Sequence, residues 1–212
     1  MIIDQKKIKM WSTIGSRATF GMAVLEISEK VKDLIVLSSD VSTSAGLDRF
    51  RKLHPDKYVE LGISEQNMIG VATGLSAENF NVVTTTFAPF QTIRCCEQIK
   101  INLGYMKHKV TLVGLASGLA LGNLGFTHCC IEDIGILRSI PNMVILSPAD
   151  SLETVKCLQE SLKSESPVYI RLTGTSNNPN FKSNPIYPYF RVDFAYSRVP
   201  SNSDPSLIGS RK

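Results

Sequence analysis

Short, continuous apolar runs alternate with amphipathic stretches along the first 172 residues. The runs over 34–39, 81–86, 109–114, 143–147 and 167–172 are rich in β-branched residues. Runs of this kind predict strands buried on both faces, and a shorter strand is expected to end at Gly62. Between them, three- and four-residue spacing of apolar positions predicts helices near 19–32, 65–78, 91–103, 131–140 and 149–163. The last is the clearest. Leu152, Val155, Leu158 and Leu162 form one stripe, Ser147 is available as a cap and Pro148 suits a first turn. Asp150 and Glu153 lie at the positive end of its dipole. Repeated strand–helix units of this kind predict a doubly wound, mostly parallel α/β sheet with helices on both faces. In such folds ligands gather at the carboxyl ends of the strands.

The helix over 65–78 carries Gly70, Ala72 and Gly74. A glycine inside a helix costs about 1 kcal/mol against alanine, which close approach of another helix can offset. That helix can belong to the same subunit or to a neighbour. After Thr173 the periodicity ends: half of the ten prolines fall in this last part, among Asn, Ser and isolated aromatics. The chain is therefore read as one domain over 1–173 with a loosely ordered Pro/Asn/Ser-rich tail over 174–212.

Composition narrows the function classes. With 212 residues, 43% hydrophobic and 20% charged, the chain suits one globular core. The net charge of +4 comes from scattered Lys and Arg rather than a basic patch, which argues against nucleic acid. No stretch has the length and apolarity of a signal peptide or a membrane span, so a cytoplasmic protein is expected. The five cysteines form two adjacent pairs, Cys95-Cys96 and Cys129-Cys130, plus Cys157. Their odd number and the lack of CxxC spacing disfavour disulfides or a zinc site, leaving small buried hydrophobes as the expectation.

Candidate chemistry lies in three segments, each after a strand. Leu61-Gly-Ile-Ser-Glu-Gln-Asn-Met68 places Glu65 where a helix opens. Thr86-Phe-Ala-Pro-Phe-Gln-Thr-Ile-Arg94 places Phe87 and Phe90 three apart, and the glycine-rich 118–128 loop ends in His128. Singly, each has an ordinary reading as a helix-start acid, core packing or a turn. Taken in order, with Glu132-Asp-Ile-Gly-Ile-Leu-Arg-Ser-Ile-Pro-Asn-Met-Val-Ile-Leu-Ser-Pro-Ala-Asp150 after them, they resemble the pyrimidine-binding domain of the transketolase family over about residues 11–172.

The resemblance implies a thiamine-diphosphate-dependent transferase subunit that moves a two-carbon ketol unit between sugars. Glu65 matches the glutamate that hydrogen-bonds N1′ of the aminopyrimidine and thereby activates the cofactor, which performs the carbon–carbon chemistry. A dry aromatic pocket favours a proton on such a carboxyl group. Phe87 and Phe90 match the aromatics packed on the pyrimidine, with Ile63 beside it and Ile93 where some members carry tyrosine. Asp40 matches a cofactor-side position, while Ser44 and Arg17 match substrate-side positions. His128 matches a histidine that faces the sugar hydroxyls. There are departures: Leu124 stands where the family has a hydroxyl-binding aspartate, and Cys129 replaces a glutamine. Ala116 and Gly174 fall where relatives carry phosphate-binding side chains. The sugar or sugar phosphate is therefore not expected to be held as an ordinary ketose phosphate is.

The family's G-D-G diphosphate motif and its third domain are missing from this sequence. The resemblance therefore implies a separate N-terminal-type subunit that holds the diphosphate through Mg²⁺ or Ca²⁺, in a homodimer or heterotetramer. The alternatives are a non-catalytic relative that only binds a partner, a deoxyxylulose-phosphate-synthase-like enzyme, or a 2-oxo-acid dehydrogenase beta-like chain.

Overall fold

The computed structural model describes residues 5–173, so the expected tail over 174–212 lies outside the described residues. Six strands pair in parallel in the order β2–β1–β3–β4–β6–β5. They are β1 (Leu34–Ser38), β2 (Tyr58–Glu60), β3 (Asn81–Phe87), β4 (Val110–Ser117), β5 (Val144–Leu146) and β6 (Val168–Thr173). Every run predicted as a strand is in the sheet, and the short one before Gly62 is its edge strand β2. Strand order reverses between β1 and β3, which opens a crevice at their carboxyl ends.

Adjacent residues of each inner strand face opposite layers. Val36, Val83, Val113 and Ile170 join a core with Trp11 and Phe20 of α1 (Gln5–Ser28), Phe50 of α2 (Asp48–Leu53) and Leu158 of α7 (Ser151–Ser161). Leu37, Val82, Leu112 and Tyr169 join a second core with Met68, Ile69 and Ala72 of α3 (Glu65–Ala77). Burial on both faces is why these strands read as continuous apolar runs.

Helix boundaries depart from expectation where local signals competed. α1 begins at Gln5, ahead of the expected start at 19, and two helices merge across Gly15 (φ 78°, ψ 170°). Ile8, Trp11 and Ile14 recur every three residues and pack on the core, which is the signal for its first half. The segment expected as one helix over 91–103 is broken into α4 (Ala88–Thr92), α5 (Cys96–Gln98) and a π turn over Ile99–Tyr105. Near 131–140 only α6 (Asp133–Leu137) is helical. Ser147 does not cap α7. The Asp150 carboxylate caps it by accepting from the Glu153 amide at 2.8 Å, and the Glu153 carboxylate reaches back past the cap to accept from the Ala149 amide at 2.7 Å.

Gly70 and Gly74 answer the question left open for α3. A Cβ at either would meet nothing within 4 Å among the described residues, so close packing inside the subunit is not their reason. The five cysteines are free, but only Cys95, Cys130 and Cys157 are buried; Cys96 and Cys129 are half-buried. Among the described residues, no helix is long and apolar enough to cross a membrane.

Candidate functional site

The handover from β2 to α3 turns sharply at Gly62 (φ 65°) and places Glu65 at the first helical position, 4% exposed. Ser64 precedes it without capping; its hydroxyl donates to the Leu61 carbonyl. Phe87 ends β3 and Phe90 sits one turn on in α4, their rings edge to face at 6.4 Å. His128, from the loop after β4, stands edge-on to both, 6.3 Å from Phe87 and 5.4 Å from Phe90. Arg94 joins the parts. One guanidinium nitrogen donates to Glu65 Oε1 at 2.7 Å, and its Cζ lies 4.0 Å above the Phe90 ring.

The His128 loop is pinned at its base. Gly118 (φ 71°) and Cys130 exchange both backbone hydrogen bonds, at 2.7 and 2.8 Å. The conformation of Gly118 is one a side chain would strain, and a Cβ there would also meet Arg171 at 3.3 Å. Within the loop the His128 amide bonds the Gly125 carbonyl, and His128 Nδ1 lies 3.0 Å from the Thr127 hydroxyl. Behind the base, Asp133 Oδ2 accepts from Arg171 Nε at 2.8 Å and from the Tyr169 hydroxyl at 2.9 Å. Burial, then the Asp133 charge, push the Tyr169 hydroxyl well above its ordinary value. Burial likewise raises the Cys130 thiol, opposed by a contact with the Thr92 hydroxyl.

The remaining expected residues lie around this cluster rather than in it. Asp40, after β1, is exposed with φ 55°, and its amide donates to Glu60 at 2.7 Å. Burial opposes the Glu60 charge, but donors from Tyr58, Asp40 and Gly62 outweigh it and hold the carboxyl below its ordinary value. Ser44 is half-buried in the β1–α2 loop, and half-buried Arg17 has its backbone against Gly46 of the same loop. Ile63 and Ile93 flank Glu65 and Arg94 in sequence and are 77% and 44% exposed. Leu124 and Phe126 of the His128 loop are also open to solvent.

A buried carboxylate joined by one guanidinium to an aromatic face suits a flat, nitrogen-bearing ring that shares a hydrogen with it. Among the described residues, no group of three or more His, Cys, Asp or Glu could hold a metal ion. Arg94 had no role assigned from the sequence. Its signal is the four-residue spacing after Phe90, which brings a cation onto an aromatic at one turn. Asp133, Tyr169 and Arg171 were unmarked because α6 and β6 meet only in the fold.

Residues 12–178 match the family model of the transketolase pyrimidine-binding domain. One of the subunits of the apulose-4-phosphate transketolase of Phocaeicola vulgatus is 35% identical over 75% of this chain and 51% of its own length. The 6-deoxy-6-sulfo-D-fructose transketolase subunit SqwH of a Clostridium species is 33% identical over 74% of this chain and 48% of its own. A split gene transketolase, solved as an inactive beta4 tetramer, superposes with a TM-score of 0.71 at 35% identity, covering 82% of this chain and 55% of that one. The chain spans about half the length of the curated relatives it matches. With a family model and relatives at this identity agreeing along most of its length, the chain belongs to the transketolase family, whose pyrimidine-binding domain it carries.

Proposed function

We propose that this chain is the pyrimidine-side half of a split, thiamine-diphosphate-dependent transketolase-like enzyme that transfers a two-carbon ketol unit between sugars. The observation that carries the reading is the burial of Glu65 at a helix start, joined through Arg94 to Phe90, whose ring meets Phe87 and His128 edge to face. These residues fit an aminopyrimidine: Glu65 would hold a proton at N1′, while the two phenylalanines exclude water from the ring. Ile63 and Ile93 would border the ring, and Asp40 would face the cofactor from the end of β1. When bound, the cofactor supplies the carbon–carbon chemistry, and the protein's task is orientation and proton placement. His128 would meet sugar hydroxyls, and Arg17 and Ser44 the far end of a sugar or sugar phosphate.

The diphosphate and its Mg²⁺ or Ca²⁺ are assigned to a separate N-terminal-type subunit, in a homodimer or heterotetramer of such halves. Three features support a covering chain. Gly70 and Gly74 face open space, the rim carries exposed Ile63, Ile93 and Phe126, and a similar split protein was solved as an inactive beta4 tetramer. The names of the two relatives cite apulose-4-phosphate and 6-deoxy-6-sulfo-D-fructose. Leu124, exposed on a turn of the His128 loop, offers no partner to a donor hydroxyl. An unpaired buried hydroxyl costs about 1–3 kcal/mol, so a modified ketose is the substrate class proposed.

The test is co-purification with a G-D-G-containing chain, then a ketol-transfer assay with thiamine diphosphate and Mg²⁺. Glu65→Gln is expected to fold normally and to lose transfer in the reconstituted complex. Near-normal turnover in that variant removes Glu65 from the mechanism.

A further inference from the structure

We propose that Arg94 is a latch: in the free chain its guanidinium occupies the space between Glu65 and Phe90 that an aminopyrimidine ring requires, so arginine and ring exclude one another. This rests on the proposed function, because it takes Glu65 and Phe90 as the ring's partners.

The guanidinium copies the ring's two recognition features. It is a flat N–C–N unit that donates to a carboxylate, as Arg94 does to Glu65 Oε1 at 2.7 Å. It also stacks on an aromatic face, with Cζ 4.0 Å from the Phe90 centroid. One side chain thus fills both halves of the recognition at once.

The latch is built to open. The Arg94 backbone is held, its carbonyl accepting from Gln66 Nε2 at 3.0 Å and its amide donating to the Pro89 carbonyl at 3.2 Å. Release therefore needs only a change of side-chain rotamer. The Glu65 side chain is 5% exposed whereas that of Arg94 is 41% exposed, so the arginine has a way out to water that the glutamate lacks. An unassembled chain would keep its carboxylate paired and its aromatic face covered. Affinity for the ring then falls by the fraction of chains with the latch open.

The test uses the full isolated chain and 4-amino-5-hydroxymethyl-2-methylpyrimidine as probe. Calorimetry compares wild type, Arg94→Ala and Arg94→Ala/Glu65→Ala, while nitrogen-15 spectra follow rotation of the Arg94 guanidinium. Arg94→Ala is expected to bind the probe at least about tenfold more tightly than wild type, and the added Glu65→Ala is expected to abolish the gain. In wild type, guanidinium rotation is expected to be slow without the probe and fast once the probe saturates.

Equal or weaker binding by Arg94→Ala overturns the latch, as does probe binding that leaves the guanidinium held. Free rotation in the unliganded wild type overturns it without any variant, should Arg94→Ala fail to fold. None of these outcomes bears on the Glu65→Gln assay in the reconstituted complex, which decides the underlying reading separately.

Discussion

Replacing Asp133 by alanine removes, at the start of α6, a carboxylate that accepts from two side chains of β6, Tyr169 and Arg171. Asp133 is 0% exposed, and the Arg171 side chain is 17% exposed. The variant loses hydrogen bonds to the Arg171 guanidinium and the Tyr169 hydroxyl, and it strands a mostly buried cation. Breaking one side of a buried pair costs about 3–5 kcal/mol. The remaining access of Arg171 to water places this case near about 3 kcal/mol. For a domain of this size that is a fall in Tm of about 6–12 °C. Thermal and urea unfolding followed by circular dichroism measure it. The double variant Asp133→Leu/Arg171→Met removes both charges, and is expected to recover at least about 1 kcal/mol relative to Asp133→Ala. A loss below about 1 kcal/mol for Asp133→Ala, or no recovery in the double variant, refutes the reasoning.

Two further outcomes are expected. Burial pushes the Cys95 and Cys157 thiols, from 9.0, and the Tyr58 hydroxyl, from 10.0, up to about 12. The folded chain keeps these protons where the unfolded chain releases them, so stability is full below about pH 9 and falls as pH rises toward about 12. Urea midpoints that stay flat from about pH 8 to about pH 11 contradict this. Gly21→Ala would drive a Cβ into the Gly46 carbonyl group, an overlap with backbone that no side-chain shift relieves. It is expected to cost about 3 kcal/mol or more, and a Tm within about 2 °C of wild type counts against that packing.

The sheet was legible because each inner strand buries both faces, so its residues must be apolar whatever their neighbours are. The stripe of α7 was legible for the same reason, and Leu152, Val155 and Leu158 are buried as the spacing predicts. Helix ends were less legible. Ser147 and Asp150 are both competent caps, and only the folded geometry shows the Glu153 amide at Asp150. In the segment over 91–103 the four-residue recurrence of Cys95, Ile99 and Leu103 does mark a buried face. Periodicity reports which side is buried, and it is blind to the break after Thr92 and the π turn that follows.

The candidate site divides along the same line. Motif order along the chain singled out Glu65, Phe87, Phe90 and His128, because each lies at or in the segment after a strand end, and strand ends are written locally. Pairings across the fold were not written there. Glu65 and Arg94 are 29 residues apart, and Asp133 and Arg171 are 38 apart. Strand order brings each pair together, and the strength of each ion pair depends on how much water the surrounding layers exclude. Hydrophobic periodicity is a short-range code and survives in the linear chain. Charge pairing depends on separation and dielectric, and both exist only once the layers have closed.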